Sequence, residues 1–156
     1  MSITQAMCSS FKQELLQGLH NFTLGSGGGT TTTTGTGNTY YCALYTNQAT
    51  LGAGSTTYVT ANETTNTAGT AYAAGGQSLT NVTPSLDGTT AITDFGNVTW
   101  SASSLTARGA MIYNFSQSGN NAVCVLDFGS DKTSSAGDFT INFPAPAANT
   151  ALIRIA

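Results

Sequence analysis

Three apolar runs of strand length crowd into residues 104–143, and the polar breaks between them leave few folds open. The runs are SLTARGAMIYNF at 104–115, AVCVLDFG at 122–129 and DFTINF at 138–143. Turn-rich breaks at 117–121 and 130–137 separate them. Short β-branched and aromatic runs between such breaks predict consecutive antiparallel hairpins. Phe139, Ile141 and Phe143 alternate with Thr140 and Asn142, as in a strand with one buried face. Residues 111–115 and 123–128 are denser in apolar side chains, as strands covered on both faces would be. This meander is expected to be the core sheet, with Ile112, Phe128 and Ile141 in its interior.

The remaining strands read less sharply. Residues 39–46 form a clear run. Residues 47–76 carry few apolar anchors and predict long loops with short pieces of structure. Strands are expected at 77–83, at 89–95 after a turn marked by Pro84 and Asp87-Gly88, at 97–100, and at 151–155 as a closing strand. Pro144 and Pro146 suit a connection. About eight strands without alternating helices predict an all-β fold, an antiparallel β-sandwich of jelly-roll-like or Ig-like type.

One helix is expected, over residues 3–17. Ser2 and Gln5 match a capping box, Met7, Phe11 and Leu15 recur at four-residue spacing with Leu19 beyond, and Gly18 suits the C-terminal cap. The Gly/Thr-rich stretch that follows lacks the Gly-Lys-Ser/Thr of a phosphate-binding loop and reads as a linker or hairpin tip. The chain divides into an N-terminal helix and docking segment (1–24), a linker or loop (25–38) and a sandwich (39–156). The helix either covers one end of the sheet or docks on a neighbouring subunit through Met7, Phe11, Leu15 and Leu19.

Charged residues make up only 7% of the chain and the net charge is −3. An ordinary soluble domain is about 25% charged. The four cations, Lys12, Arg108, Lys132 and Arg154, are scattered, which argues against nucleic-acid binding. Hydroxyls and amides replace the charges, and neutral polar groups cost less to desolvate, which suits a protein packed against neighbours. No apolar run is long enough for a membrane span, and no signal peptide is visible at the N-terminus. Cys8, Cys42 and Cys124 fit neither a disulfide framework nor a zinc site, and a reducing compartment is expected.

Catalytic constellations are hard to assemble from these residues. His20 is the only histidine, and no nucleophile elbow accompanies it. Glu14 and Glu63 are the only glutamates, and Asp94 near Trp100 is the best acid candidate. Asp127, Asp131 and Asp138 invite a cation at one hairpin, although their spacing matches no EF-hand and turn-capping is the simpler reading. Tyr40, Tyr41, Tyr45, Tyr58, Tyr72 and Trp100 either form a sugar-stacking platform or belong to the core. Arg108 and Arg154, beside apolar strands, either bond an internal Asp or face a neighbouring chain. No cofactor, no metal and no enzymatic activity are expected.

Several segments also resemble small virion proteins of tailed bacteriophages: SITQAMCSSFKQELLQGLHNF (2–22), ALYT (43–46), SLTNVTP (78–84), TARGAMIYN (106–114) and VLDFGSDKT (125–133). The resemblance covers most of the chain and departs at the Gly/Thr stretch, which is longer here. It implies a virion structural protein, similar to capsid cement or decoration proteins. The implied partner is the major capsid protein, the implied location the capsid exterior, and the implied state a trimer or dimer. A tail or head–tail junction component is the first alternative, and a carbohydrate-binding β-sandwich module the second.

Overall fold

The computed structural model describes residues 1–24, 37–65 and 71–156. Its elements in chain order are β1 (Ala6–Met7), α1 (Ser9–Leu16), β2 (Tyr40–Tyr45), β3 (Gln77–Ser78), β4 (Asn81–Asp87), β5 (Thr90–Phe95), β6 (Val98–Asn114), β7 (Asn121–Ile141) and β8 (Ile153–Ile155). The expected all-β class holds. A five-stranded sheet has the order β1-β7-β6-β2-β3, and a three-stranded sheet the order β4-β5-β8. Every strand pair is antiparallel. The sheets meet in a sandwich-like arrangement where Phe95 of β5 packs on Tyr40 of β2 and on Phe22. The expected linker at 25–38 lies outside the described residues except for Gly37 and Asn38.

The meander at 104–143 is a single long hairpin, not a series of short ones. β6 absorbs the separate strand expected at 97–100, and β7 runs straight through the break expected at 130–137. Pairing extends from Val98↔Ile141 to Asn114↔Asn121, and only the expected turn near 117–121 reverses the chain. Ser and Gly disfavour strands locally, but here a partner strand overrides them. Thr106 Oγ1 meets Thr133 Oγ1 at 3.0 Å, and Ser103 Oγ meets Ser134 Oγ at 2.7 Å. Bulges take up the irregular residues: Arg108 alone stands opposite residues 128–131. Gly129, Ala102 and Ala136 adopt positive φ.

Those bulges let the hairpin bend. Phe95, just before β6, has its ring 5.4 Å from that of Tyr40, and Tyr40 pairs with Asn114 at the far end of β6. A straight strand of 17 residues would hold these ends about 50 Å apart. β6 therefore coils back toward its own start, and one core serves both of its ends. Val98, Trp100, Leu105, Ile112 and Tyr113 all join that core. Ile112 and Ile141 are buried as expected, whereas Phe128 is only half-buried.

The helix is shorter than its periodicity suggests, and its start is displaced. Residues 2–7 are extended: Ile3 bridges Leu51, and Ala6 and Met7 pair with Val125 and Cys124. Ser2 therefore does not cap the helix, because its carbonyl accepts from Leu51 N at 3.1 Å. The expectation fails because a sheet edge competes for the same backbone groups. Cys8 takes the N-cap position with extended backbone and no side-chain cap. The C-terminal prediction holds. Gly18 has φ of 72°, its N–H reaches Leu15 O, and Leu19 N reaches Glu14 O, a Schellman closure.

Elsewhere the loops expected over 47–76 form no strand among the described residues. Pro84 lies inside β4 at a register shift, and the chain reverses at Gly88, with φ of 62°. Cys8, Cys42 and Cys124 are buried free thiols, and burial pushes Cys8 up to about 11 and Cys42 up to about 12. They act as small core hydrophobes.

Candidate interaction surface

Of the two readings of the N-terminal segment, a cover for its own sheet or a docking element, the contacts within the chain fit the first: it is stitched into its own sheet. Thr4 N bonds Leu51 O, Cys8 N bonds Val123 O, and Ser9 N bonds Ala53 O. Phe11 is 0% exposed and lies edge-on to His20 and Phe22. Met7 and Leu15 are half-buried against the core, and Leu19 is half-buried at the helix end. The apolar side chain that α1 presents outward is Leu16, 91% exposed. Packing shows that the stripe of Met7, Phe11 and Leu15 is spent inward.

Behind the helix end lies a buried amide network. Glu14 Oε2 accepts from His20 Nε2 at 2.7 Å, and Glu14 Oε1 accepts from Asn121 Nδ2 at 2.8 Å. Asn114 Nδ2 donates to His20 Nδ1 at 3.2 Å and to Asn38 Oδ1 at 3.1 Å. This arrangement keeps the imidazole neutral, with the proton on Nε2. Burial lowers the pKa of His20, and Glu14 opposes that shift only in part. With both ring nitrogens engaged and the side chain fully buried, His20 is a structural pin.

A second network fixes the long loop. Glu63 accepts from Tyr58 OH at 2.6 Å, from Tyr72 OH at 2.5 Å and from Gly75 N at 2.7 Å. Leu44 N donates to Tyr72 OH, which ties this cluster to β2. Burial raises the pKa of Tyr58 and of Tyr72, and the Glu63 carboxylate adds to it. Of the two readings of the six aromatics, the core one fits four of them. Tyr40, Tyr45, Tyr72 and Trp100 are buried, because their rings carry the apolar volume that the small aliphatic residues of β2 and β6 do not fill.

The charged candidates also resolve. Arg108 bonds an internal aspartate, its Nη2 3.1 Å from Asp127 Oδ1. Arg154 is exposed, with Nη1 3.5 Å from Ala148 O. Asp131 Oδ2 accepts from Asn47 Nδ2, and Asp138 Oδ1 from Ala102 N. The three carboxylates at the hairpin thus have separate partners, and among the described residues no three metal-ligating side chains converge. Asp94 accepts from Phe95 N and Leu152 N, and burial raises its pKa. It holds β5 to the approach of β8.

Most of what faces solvent is neutral. Thr99 with Thr140 and Thr106 with Thr133 form exposed cross-strand hydroxyl pairs. A shallow depression beside them is lined by Thr46, Thr64, Ser104, Thr106, Thr133 and Ser135, among others. Exposed apolar side chains include Leu24, Leu86, Phe115 and Ile155. Leu86 and Ile155 share a row through Ala91, the residue that pairs with both. Phe115 and Ile155 each close an apolar run in the sequence, while Leu24 and Leu86 stand alone among polar and turn residues. No helix among the described residues is long and apolar enough to cross a membrane. No protein-family model matches this chain, and no curated protein or solved structure matches it either.

Proposed function

We propose that the protein is a structural subunit of a tailed-bacteriophage virion, acting as a cement or decoration protein on the capsid exterior. It bridges subunits of the major capsid protein and associates with itself as a trimer or dimer. The observation that carries this reading is the hydroxyl-covered flank of the β6–β7 hairpin. Over 129–138 every residue of β7 is exposed or half-exposed; Ser, Thr, Gly and Ala make up most of the stretch, and Asp131, Lys132 and Asp138 punctuate it. The neutral residues give up little hydration when a neighbour covers them. Exposed Leu16, Leu86 and Ile155 supply apolar anchors, and Arg154 a charge at the rim.

The mechanism is additive burial. A specific contact pair buries about 1,200–2,000 Å², and repetition around a shell makes modest contacts collectively strong. No catalytic step and no cofactor belong to this reading. The test is the copy number of the protein in purified particles, measured against the main shell protein. Hundreds of copies are the expected result. A dozen or fewer would move the protein to the tail or the head–tail junction, and none would overturn the virion reading.

A further inference from the structure

A groove of about 660 Å³ opens beside the edge of the large sheet, where β2 and β3 meet the residues flanking the β6–β7 turn. That size falls within the range of small-molecule sites. Its apolar wall is aromatic. The rings of Tyr41 and Phe115 lie 4.6 Å apart at 36°, and Phe115 is 53% exposed. Thr39, Ser78 and Thr80 also line it. No charged residue is among its described lining residues.

One wall residue is left incomplete. Asn81 lines the groove and is 7% exposed. Its Nδ2 donates to Thr23 O at 3.1 Å and to Asn38 O at 2.9 Å. Those two carbonyls fix the orientation of the amide. Its buried Oδ1 is left with no hydrogen-bond partner in the structure. Buried acceptors are nearly always satisfied, and an exception asks for a donor.

We propose that this groove binds a neutral saccharide. A sugar ring offers apolar C–H faces to Tyr41 and Phe115 and hydroxyls that both donate and accept. Those hydroxyls match Ser78 and Thr80, and one of them reaches the buried Asn81 Oδ1 once the groove wall shifts to uncover it. A phosphorylated or acidic ligand would find no cation among these residues. A wholly apolar ligand would leave the hydroxyls and Asn81 unpaired. The site does not depend on the virion reading.

The test is titration of the ¹⁵N-labelled full chain with methyl glycosides of glucose, galactose, mannose and N-acetylglucosamine, followed by amide NMR. At least one glycoside should shift Thr39, Ser78, Thr80 and the Asn81 side-chain amide. Phe115→Ala should weaken that binding about tenfold, with its melting curve confirming the fold. Thr80→Val serves as a second variant from the polar lining and should weaken binding too. No shift from any glycoside at millimolar concentration would overturn the proposal. So would binding that both variants leave unchanged. Neither result depends on copy number in particles, so failure here is distinct from failure of the virion reading.

Discussion

The turn end and the middle of the β6–β7 hairpin share one ladder but not one environment. At the turn end, residues 109–114 of β6 are buried on both faces between β2 and β7. In the middle, residues 129–133 of β7 face solvent. Among the described residues β7 has an outer partner only near the turn, where Thr57 bridges Asn121 and β1 pairs at 124–125. The first region is held by apolar volume and buried amides. The second is held by the ladder and by hydroxyl pairs such as Thr106 with Thr133. A two-stranded ribbon is marginal in water by itself, so the exposed middle depends on the buried ends. The contrast teaches that strand formation here is decided by the partner strand, and burial by how many layers cover the pair.

Removing residues 1–24 should blur that contrast most. The segment supplies Ile3, Cys8, Phe11 and Phe22 to the core and β1 to the sheet. Its loss should abolish cooperative unfolding by circular dichroism. A chain that still melts sharply would show that the N-terminal segment is separable after all.

Next in size is a direct pair. Ile112→Ala at the buried end should cost about 2–5 kcal/mol. Thr133→Ala on the exposed ribbon should stay within about 0.5 kcal/mol. Urea titration of both variants checks this, and equal losses would erase the distinction between the two regions.

The smallest expected effect is pH dependence at the turn end. His20 has a lowered folded pKa because it is buried. Near and below its ordinary value of about 6.5, the unfolded chain takes up a proton that the folded chain resists. Stability therefore falls as pH drops through that value. Asp94 acts oppositely: its raised folded pKa lets folded protein bind a proton more readily, so acid relieves a penalty there. In His20→Gln, the loss of stability between about pH 7 and 5 should shrink. An unchanged slope would mean that the loss arises elsewhere.

Much of the architecture was legible in the chain. The period-2 pattern of Phe139 and Ile141, the turn at 117–121, the strand at 40–45 and the Gly18 helix stop all follow from local stereochemistry. So does the charge-poor surface. The candidate surface was far less legible. Phe115 reads as core because an apolar residue at the end of a strand looks the same whether or not a second layer covers it. Arg108 could not be assigned to Asp127, because the bulge opposite it sets the register that brings the two together.

The all-β class, the positions of most strands and the low charge of the surface follow from the chain alone, since side-chain period, turn residues and composition are local properties. Tertiary structure decided the rest. It drew residues 2–7 out of the helix into a bridge and a sheet edge, and carried β7 through a stretch that reads as a loop. It also spent the helix stripe on the protein's own core. Each of these outcomes turns on a hydrogen bond or an apolar contact with a residue distant in the chain. Local propensities, worth well under about 1 kcal/mol per residue, yield to such contacts when a partner strand or a buried face is available.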